Sequence, residues 1–265
     1  MKTKALKKFR AKLAKGETVY GLWVTLESAS ITDIAVALGL DWVVVDAEHG
    51  HLDWKEINAH IRAGLRSDTV VLVRIQEQST SITKRVLDIG ADGIIIPGIV
   101  NQTQLVEAIR DCHYPPSGRR GIGGERATVW GQCLNEHTSE ANENVLVVPL
   151  IEHVSALPQV EKMCKTEGVD TFFIGPADFS ASVGFAGQWE GPGVAEQIIE
   201  IRDVIDSHNK YCGIMATDTE NLSQRKDQGF RILGIGSDAA LLLSTTREIL
   251  NTVGQDKKPS LDPRA

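Results

Sequence analysis

No apolar run in the chain approaches the roughly 20 residues that a membrane-spanning helix needs, so a helical integral membrane protein is excluded. Cysteine is scarce and dispersed. The four cysteines, Cys112, Cys133, Cys164 and Cys212, form no CxxC pair and are spread too evenly for a disulfide frame or a zinc site, which suits a reducing cytoplasm. Positive charge is in deficit: a net charge of -7 and a pI near 5.5 argue against a nucleic acid or an anionic membrane as partner and in favour of a small ligand. No apolar signal core follows the basic N-terminus, where Leu6, Phe9 and Leu13 instead mark one face of an amphipathic helix. Internal repeats and low-complexity linkers are also lacking.

What is present is a regular alternation. A length of 265 residues with 42% hydrophobic content is enough for one large α/β domain. Eight apolar segments read as strands: Val19 to Thr25, Trp42 to Val45, Val70 to Ile75, Ile94 to Ile96, Val145 to Ile151, Thr171 to Ile174, Tyr211 to Met215 and Arg231 to Ile235. Between them lie helical patterns such as Asp53 to Leu65, Val154 to Thr166, Val194 to His208 and Thr219 to Gln228, several stopped by glycine. From His113 to Asn144 the pattern weakens into loop chemistry around Pro115-Pro116-Ser117-Gly118. An open doubly wound sheet usually carries a dinucleotide fingerprint after its first strand, and none is there. The alternation therefore predicts a (β/α)8 barrel with an extra N-terminal helix, one domain over 1–253, and a solvated tail over 254–265.

In such a barrel the ligand site lies at the carboxyl ends of the strands. The sharpest signal there is Val43-Val44-Val45 followed by Asp46, Glu48 and His49, an abrupt change from a doubly buried strand to three ionisable side chains. Arg74, Glu152, Asp178 and Asp238 end other strands. Glu152 and Asp178 follow neighbouring strands, so their carboxylates can converge on Mg²⁺ or Mn²⁺, leaving positions for a chelating 2-oxo acid; an ion pair or a helix cap is the plainer alternative. Imine chemistry needs a lysine inside the barrel, yet Lys55, Lys84, Lys162, Lys165 and Lys226 fall on helical segments and Lys210 precedes its strand. Arg74 then suits an enolate oxygen and His49 proton transfer, against the plainer readings of a salt-bridge partner and a turn residue. Gly234-Ile235-Gly236-Ser237 fits an anion site and close helix packing equally.

These residues resemble the class II 2-oxo acid aldolases of the HpcH/HpaI family. The likeness spans about Gly21 to Gly254 and rests on Gly21-Leu22-Trp23, Asp46-Ala47-Glu48-His49, Val73-Arg74, Tyr114-Pro115-Pro116 with Arg120-Gly121, Ile151-Glu152, and Gly175-Pro176-Ala177-Asp178-Phe179-Ser180. It implies a metal-dependent lyase that reversibly cleaves 4-hydroxy-2-oxo acids to pyruvate and an aldehyde through a pyruvate enolate. Glu152 and Asp178 would hold the metal (Mg²⁺, Mn²⁺ or Co²⁺), with the Ala177 and Asp178 N–H groups on the substrate carboxylate. Arg74 would stabilise the enolate, and His49, supported by Asp88, would move protons. Glu48 would act through metal-bound water, with Asp46 and Trp23 near the aldehyde and Met215 lining the pocket. The resemblance also implies a homohexamer in which the C-terminal helix, Thr245 to Val253, is exchanged between subunits. One departure is Leu150, where relatives commonly have Gln. Related barrels direct the same enolate chemistry to decarboxylation or to acyl-CoA substrates, and a non-catalytic oxo-acid-binding barrel is the remaining alternative.

Overall fold

The computed structural model describes residues 1–255. Parallel strands close into a barrel in sequence order: β1 (Val19–Val24), β2 (Trp42–Asp46), β3 (Val70–Arg74), β4 (Gly93–Ile96), β5 (Leu146–Ile151), β6 (Thr171–Ile174), β7 (Tyr211–Met215) and β8 (Ile232–Ser237). The helices are α1 (Thr3–Ala14), α2 (Ser30–Ala37), α3 (Trp54–Ala63), α4 (Thr80–Asp88), α5 (Gln102–Cys112), α6 (Leu134–Asn144), α7 (Val160–Cys164), α8 (Pro176–Ser182), α9 (Val194–Ser207), α10 (Thr219–Asp227) and α11 (Asp238–Thr252). This is the expected (β/α)8 barrel with its additional first helix.

Every strand separates two apolar layers, which is why the strands read as unbroken hydrophobic runs. Along β2 the side chains alternate, with Trp42 and Val44 in the inner core and Val43 and Val45 in the outer one beneath the helices. Leu72, Ile95, Val148, Leu150, Phe173 and Ile232 join the inner core. Gly21 leaves the space that the Trp42 indole fills: a Cβ there would stand 2.0 Å from the ring.

The amphipathic face read in the first helix closes the amino-terminal end of the barrel. Leu6, Phe9 and Leu13 share the inner core with Val19 and Val70, the first residues of β1 and β3. Polar staples fix this plug: Lys2 Nζ donates to the Gly64 carbonyl at 2.7 Å, and Arg10 donates to Asp170 at 2.7 Å and to the Asn144 carbonyl at 2.8 Å.

Several boundaries differ from expectation, each for a local reason. The stretch from His113 to Asn144 contains a 3-10 turn, Arg126–Thr128, and α6. In α6 only Ala141 and Asn144 are buried, so the sequence carried no apolar stripe to reveal it. The expected helix from Val154 to Thr166 is a 3-10 segment, Val154–Gln159, followed by α7, because Pro158 lacks the N–H that a continuous α-helix requires. The final strand runs on to Ser237, through the glycines considered as an anion site, and Ser237 Oγ is engaged as the α11 cap, accepting from Ala240 N at 3.2 Å. The C-terminal helix runs from Asp238 to Thr252 and so carries most of the segment expected at the subunit interface. Most of the expected tail, residues 256–265, lies outside the described residues. Asp238 is the only buried residue of α11, whereas Leu242, Leu243, Ile249 and Val253 are 58–66% exposed. Among the described residues no helix is long and apolar enough to cross a membrane.

Candidate active site

A cavity of about 900 Å³ opens at the carboxyl ends of the strands and is lined by Trp23, Arg74, Leu150, Glu152, Asp178 and Met215, among others. It extends past β7 to Trp189, Thr217 and Asp218, which the strand-end reading did not include. Their signal is weak because they sit in loops, Trp189 between α8 and α9 and the other two between β7 and α10, where no apolar period changes.

Glu152 follows β5 and is held by a residue that sequence reasoning passed over. The Gly98 N–H, at the turn after β4, donates to Glu152 Oε1 at 2.6 Å. Gly175, after β6, provides clearance on the other side: a Cβ there would lie 2.9 Å from Glu152 Cβ and 3.0 Å from Oε2. Asp178 is exposed in the first turn of α8. Burial pushes the Glu152 carboxyl up to about 7, with the charges of Glu48 and Asp178 adding to the shift against the Gly98 hydrogen bond. Burial likewise raises Glu48, with Arg74 opposing. Glu48 Oε2 is buried 3.1 Å from Arg74 Nη1, an ion contact without hydrogen-bond geometry.

Arg74 is the one Arg or Lys among the described residues that line the cavity. It is outnumbered there by the carboxylates of Glu152, Asp178, Asp218 and Glu248, and that donor set fits a hard divalent cation. Among the described residues no three His, Cys, Asp or Glu side chains gather to hold an ion unaided. A pair of carboxylates is the arrangement that leaves cation positions for water or substrate oxygens.

Beside this pair, Asp46 and Arg74 face each other across the paired ends of β2 and β3. Arg74 Nε and Nη2 donate to the two oxygens of Asp46 at 2.9 Å and 2.5 Å, and the guanidinium lies 5.1 Å from the centre of the Trp23 ring. Burial opposes ionisation of Asp46, but the Arg74 hydrogen bonds and charge outweigh it and hold the carboxyl below its ordinary range. The same pairing outweighs burial at Arg74 and keeps its proton more tightly held.

His49 and Asp88 lie elsewhere. The His49 side chain is exposed in the loop after β2, and its backbone N–H donates to Asp46 Oδ1 at 3.2 Å. Asp88, the last residue of α4, accepts from Arg120 Nη2 at 2.8 Å, and the Arg120 guanidinium stacks 4.5 Å from the Tyr114 ring centre. Among the described residues no hydrogen bond or ion pair joins His49 to Asp88. Asp238, also read as a strand-end acid, is a buried tie: it accepts from Thr25 N and Oγ1 at 3.0 Å and 2.8 Å and from Leu26 N at 3.0 Å.

The chain is 34% identical over 246 residues to the hydroxypyruvate/pyruvate aldolase of Roseobacter denitrificans, covering 92% of this chain and 96% of that protein. It is 33% identical over 240 residues to the 4-hydroxy-2-oxovalerate aldolase of Rhodococcus jostii, covering 90% and 92%. The crystal structure of an HpcH/HpaI aldolase/citrate lyase family protein from Burkholderia cenocepacia J2315 superposes with a TM-score of 0.89 at 29% identity, covering 95% of this chain and 99% of that one. The family is generally dependent on a divalent metal. Its sequence profile matches residues 19–245, and the chain therefore belongs to the HpcH/HpaI aldolase/citrate lyase family.

Proposed function

We propose that this protein is a divalent-metal-dependent aldolase that reversibly cleaves 4-hydroxy-2-oxo acids to pyruvate and an aldehyde by way of the pyruvate enolate. The observation that carries the reading is one cavity holding Glu152, Asp178 and Arg74 together. In this reading Glu152 and Asp178 would hold the ion, and the Gly98 N–H fixes one Glu152 oxygen. A bound Mg²⁺, Mn²⁺ or Co²⁺ would supply Lewis-acid polarisation of the 2-oxo group there.

The remaining work falls to the chain. Phe179 makes the first main-chain bond back to Gly175, so the N–H groups of Ala177 and Asp178 have no partner within α8 and are free for the substrate carboxylate. Arg74, oriented by Asp46, presents its remaining N–H groups to the enolate oxygen. His49 takes the proton-transfer role from its loop, and Asp88 is kept with it on the resemblance alone. Glu48 has the role of acting through metal-bound water, which its contact with Arg74 supports. Trp23 and Met215 form the wall toward the aldehyde, and Leu150 makes the donor side apolar.

The exposed leucines of α11 support a homo-oligomer, a hexamer by resemblance, in which this helix packs on a second copy. Four free cysteines suit a cytoplasmic setting. The test is pyruvate release from a panel of 4-hydroxy-2-oxo acids with Mg²⁺ or Mn²⁺, before and after chelation. Turnover that survives full metal removal rejects the mechanism. Normal metal-dependent rates in Glu152→Ala and Asp178→Ala reject the assigned ligands.

A further inference from the structure

Asp46 stands where the family likeness suggests an aldehyde contact, but its carboxylate is already occupied. Two donors come from Arg74, at 2.9 Å and 2.5 Å, and a third is the Trp23 indole N–H at 3.2 Å. The backbone N–H groups of Glu48 and His49 add two more, at 3.1 Å and 3.2 Å. An ionised carboxylate offers about four lone-pair positions, so these donors leave none for an incoming hydroxyl or carbonyl. Asp46 is only 1% exposed, and Trp23 and Arg74 line the cavity whereas Asp46 does not.

We propose that Asp46 is a positioning residue: it locks the Arg74 guanidinium and the Trp23 indole against each other behind the cavity wall, and its own carboxylate takes no part in holding the aldehyde. The register of β2 on β3 places Asp46 directly beside Arg74, so the fork contact is built on strands rather than on a loop. Using Nε and Nη2 for Asp46 fixes the plane of the guanidinium and directs Nη1 toward Glu48 at 3.1 Å. Without Asp46, Arg74 keeps the charges of Glu48 and Glu152 nearby, but its Nε and Nη2 lose the acceptors that fix the guanidinium plane. The Trp23 N–H would also lose the acceptor it has here.

This inference rests on the proposed enolate chemistry, and the experiment separates the two. Asp46→Asn keeps the shape of the side chain and removes the charge. With Mn²⁺ in D₂O and no aldehyde present, exchange of the pyruvate methyl protons is expected to slow about 10- to 100-fold in the variant, in line with a misdirected electrostatic donor. In turnover, kcat is expected to fall with the aldehyde KM changed less than about twofold, because the side chain does not touch that substrate. In an Arg74→Lys background the further loss from Asp46→Asn is expected to shrink to near unity, since the two act through one contact. Unchanged methyl exchange, or a large rise in aldehyde KM at constant kcat, overturns the proposal.

A readout independent of activity comes from metal-free protein. Asp46→Asn should alter tryptophan emission, and the difference should vanish in a Trp23→Phe background; an emission change that persists there, or no change at all, also overturns the clamp. Where the amide variant does not fold by far-UV circular dichroism, Asp46→Glu retains the charge, lengthens the arm and is expected to act in the same direction. If wild-type protein shows no metal-dependent methyl exchange, the aldolase reading fails, and the emission measurement still decides the clamp.

Discussion

Gly98 and Glu152 meet across the β4 and β5 ends, where the glycine N–H donates to Glu152 Oε1 at 2.6 Å and leaves Oε2 above Gly175. A main-chain donor thus orients the Glu152 carboxylate without adding a charge to the cavity. The two glycines act from opposite sides, one by donating and the other by leaving space.

Gly175→Ala is expected to disturb that aim. The new Cβ would lie 2.9 Å from Glu152 Cβ and 3.0 Å from Oε2, closer than side chains pack. Overpacking of this kind costs about 1–3 kcal/mol. Denaturant unfolding should show a loss in that range, and calorimetric titration with Mn²⁺ should show weaker binding. An unchanged affinity would mean that Glu152 Oε2 is not a ligand.

Metal binding should be proton-linked near neutrality. Burial raises the Glu152 carboxyl to about 7, so the cation must displace a proton at lower pH. Affinity is expected to fall from pH 8 to pH 6, with proton release seen as a dependence of the binding enthalpy on the ionisation enthalpy of the buffer. The sign for stability is opposite. Because the folded carboxyl is raised from 4.5 to about 7, the metal-free folded state binds more protons in that window, and this group's contribution to stability is lost as pH rises through it. The increase in Tm produced by Mn²⁺ should therefore be larger at pH 8 than at pH 6. Glu152→Gln should abolish both effects.

Phe9→Ala tests the plug at the other end of the barrel. Phe9 is 4% exposed and packs in the inner core. Large-to-small changes at buried aromatic positions cost about 3–5 kcal/mol. Urea unfolding should report a loss of that size, while metal binding to the folded protein should be retained, since α1 lies at the end opposite the cavity.

Leu242→Glu combined with Ile249→Glu should weaken self-association. Both side chains are more than 60% exposed on α11, so the monomer loses little by the change. Light scattering coupled to size exclusion is expected to show a smaller particle than wild type. An unchanged mass would remove α11 from the interface.

Local pattern carried most of the barrel. Strands buried on both faces must be apolar throughout, so Val43 to Val45, Val70 to Val73 and Ile94 to Ile96 announced themselves. The same logic exposed Asp46, Arg74 and Glu152, because a charged residue at the end of such a strand breaks the pattern. It failed for α6, whose polar sequence buries little, and for Gly98, whose contribution is a backbone N–H carrying no side-chain signature.

The sequence by itself determined the eight-strand alternation, the amphipathic first helix and the acids and arginine at the strand ends, since each depends on burial period or on local composition. Only the tertiary structure decided their pairings. Register across β2 and β3 joined Asp46 to Arg74, residues 28 positions apart, and so gave the Asp46 carboxylate its partner. Closure of the barrel likewise brought the Gly98 N–H to Glu152, 54 positions away. Periodicity specifies which face of a strand is buried, whereas the partner across the next strand depends on how all eight strands pack at once.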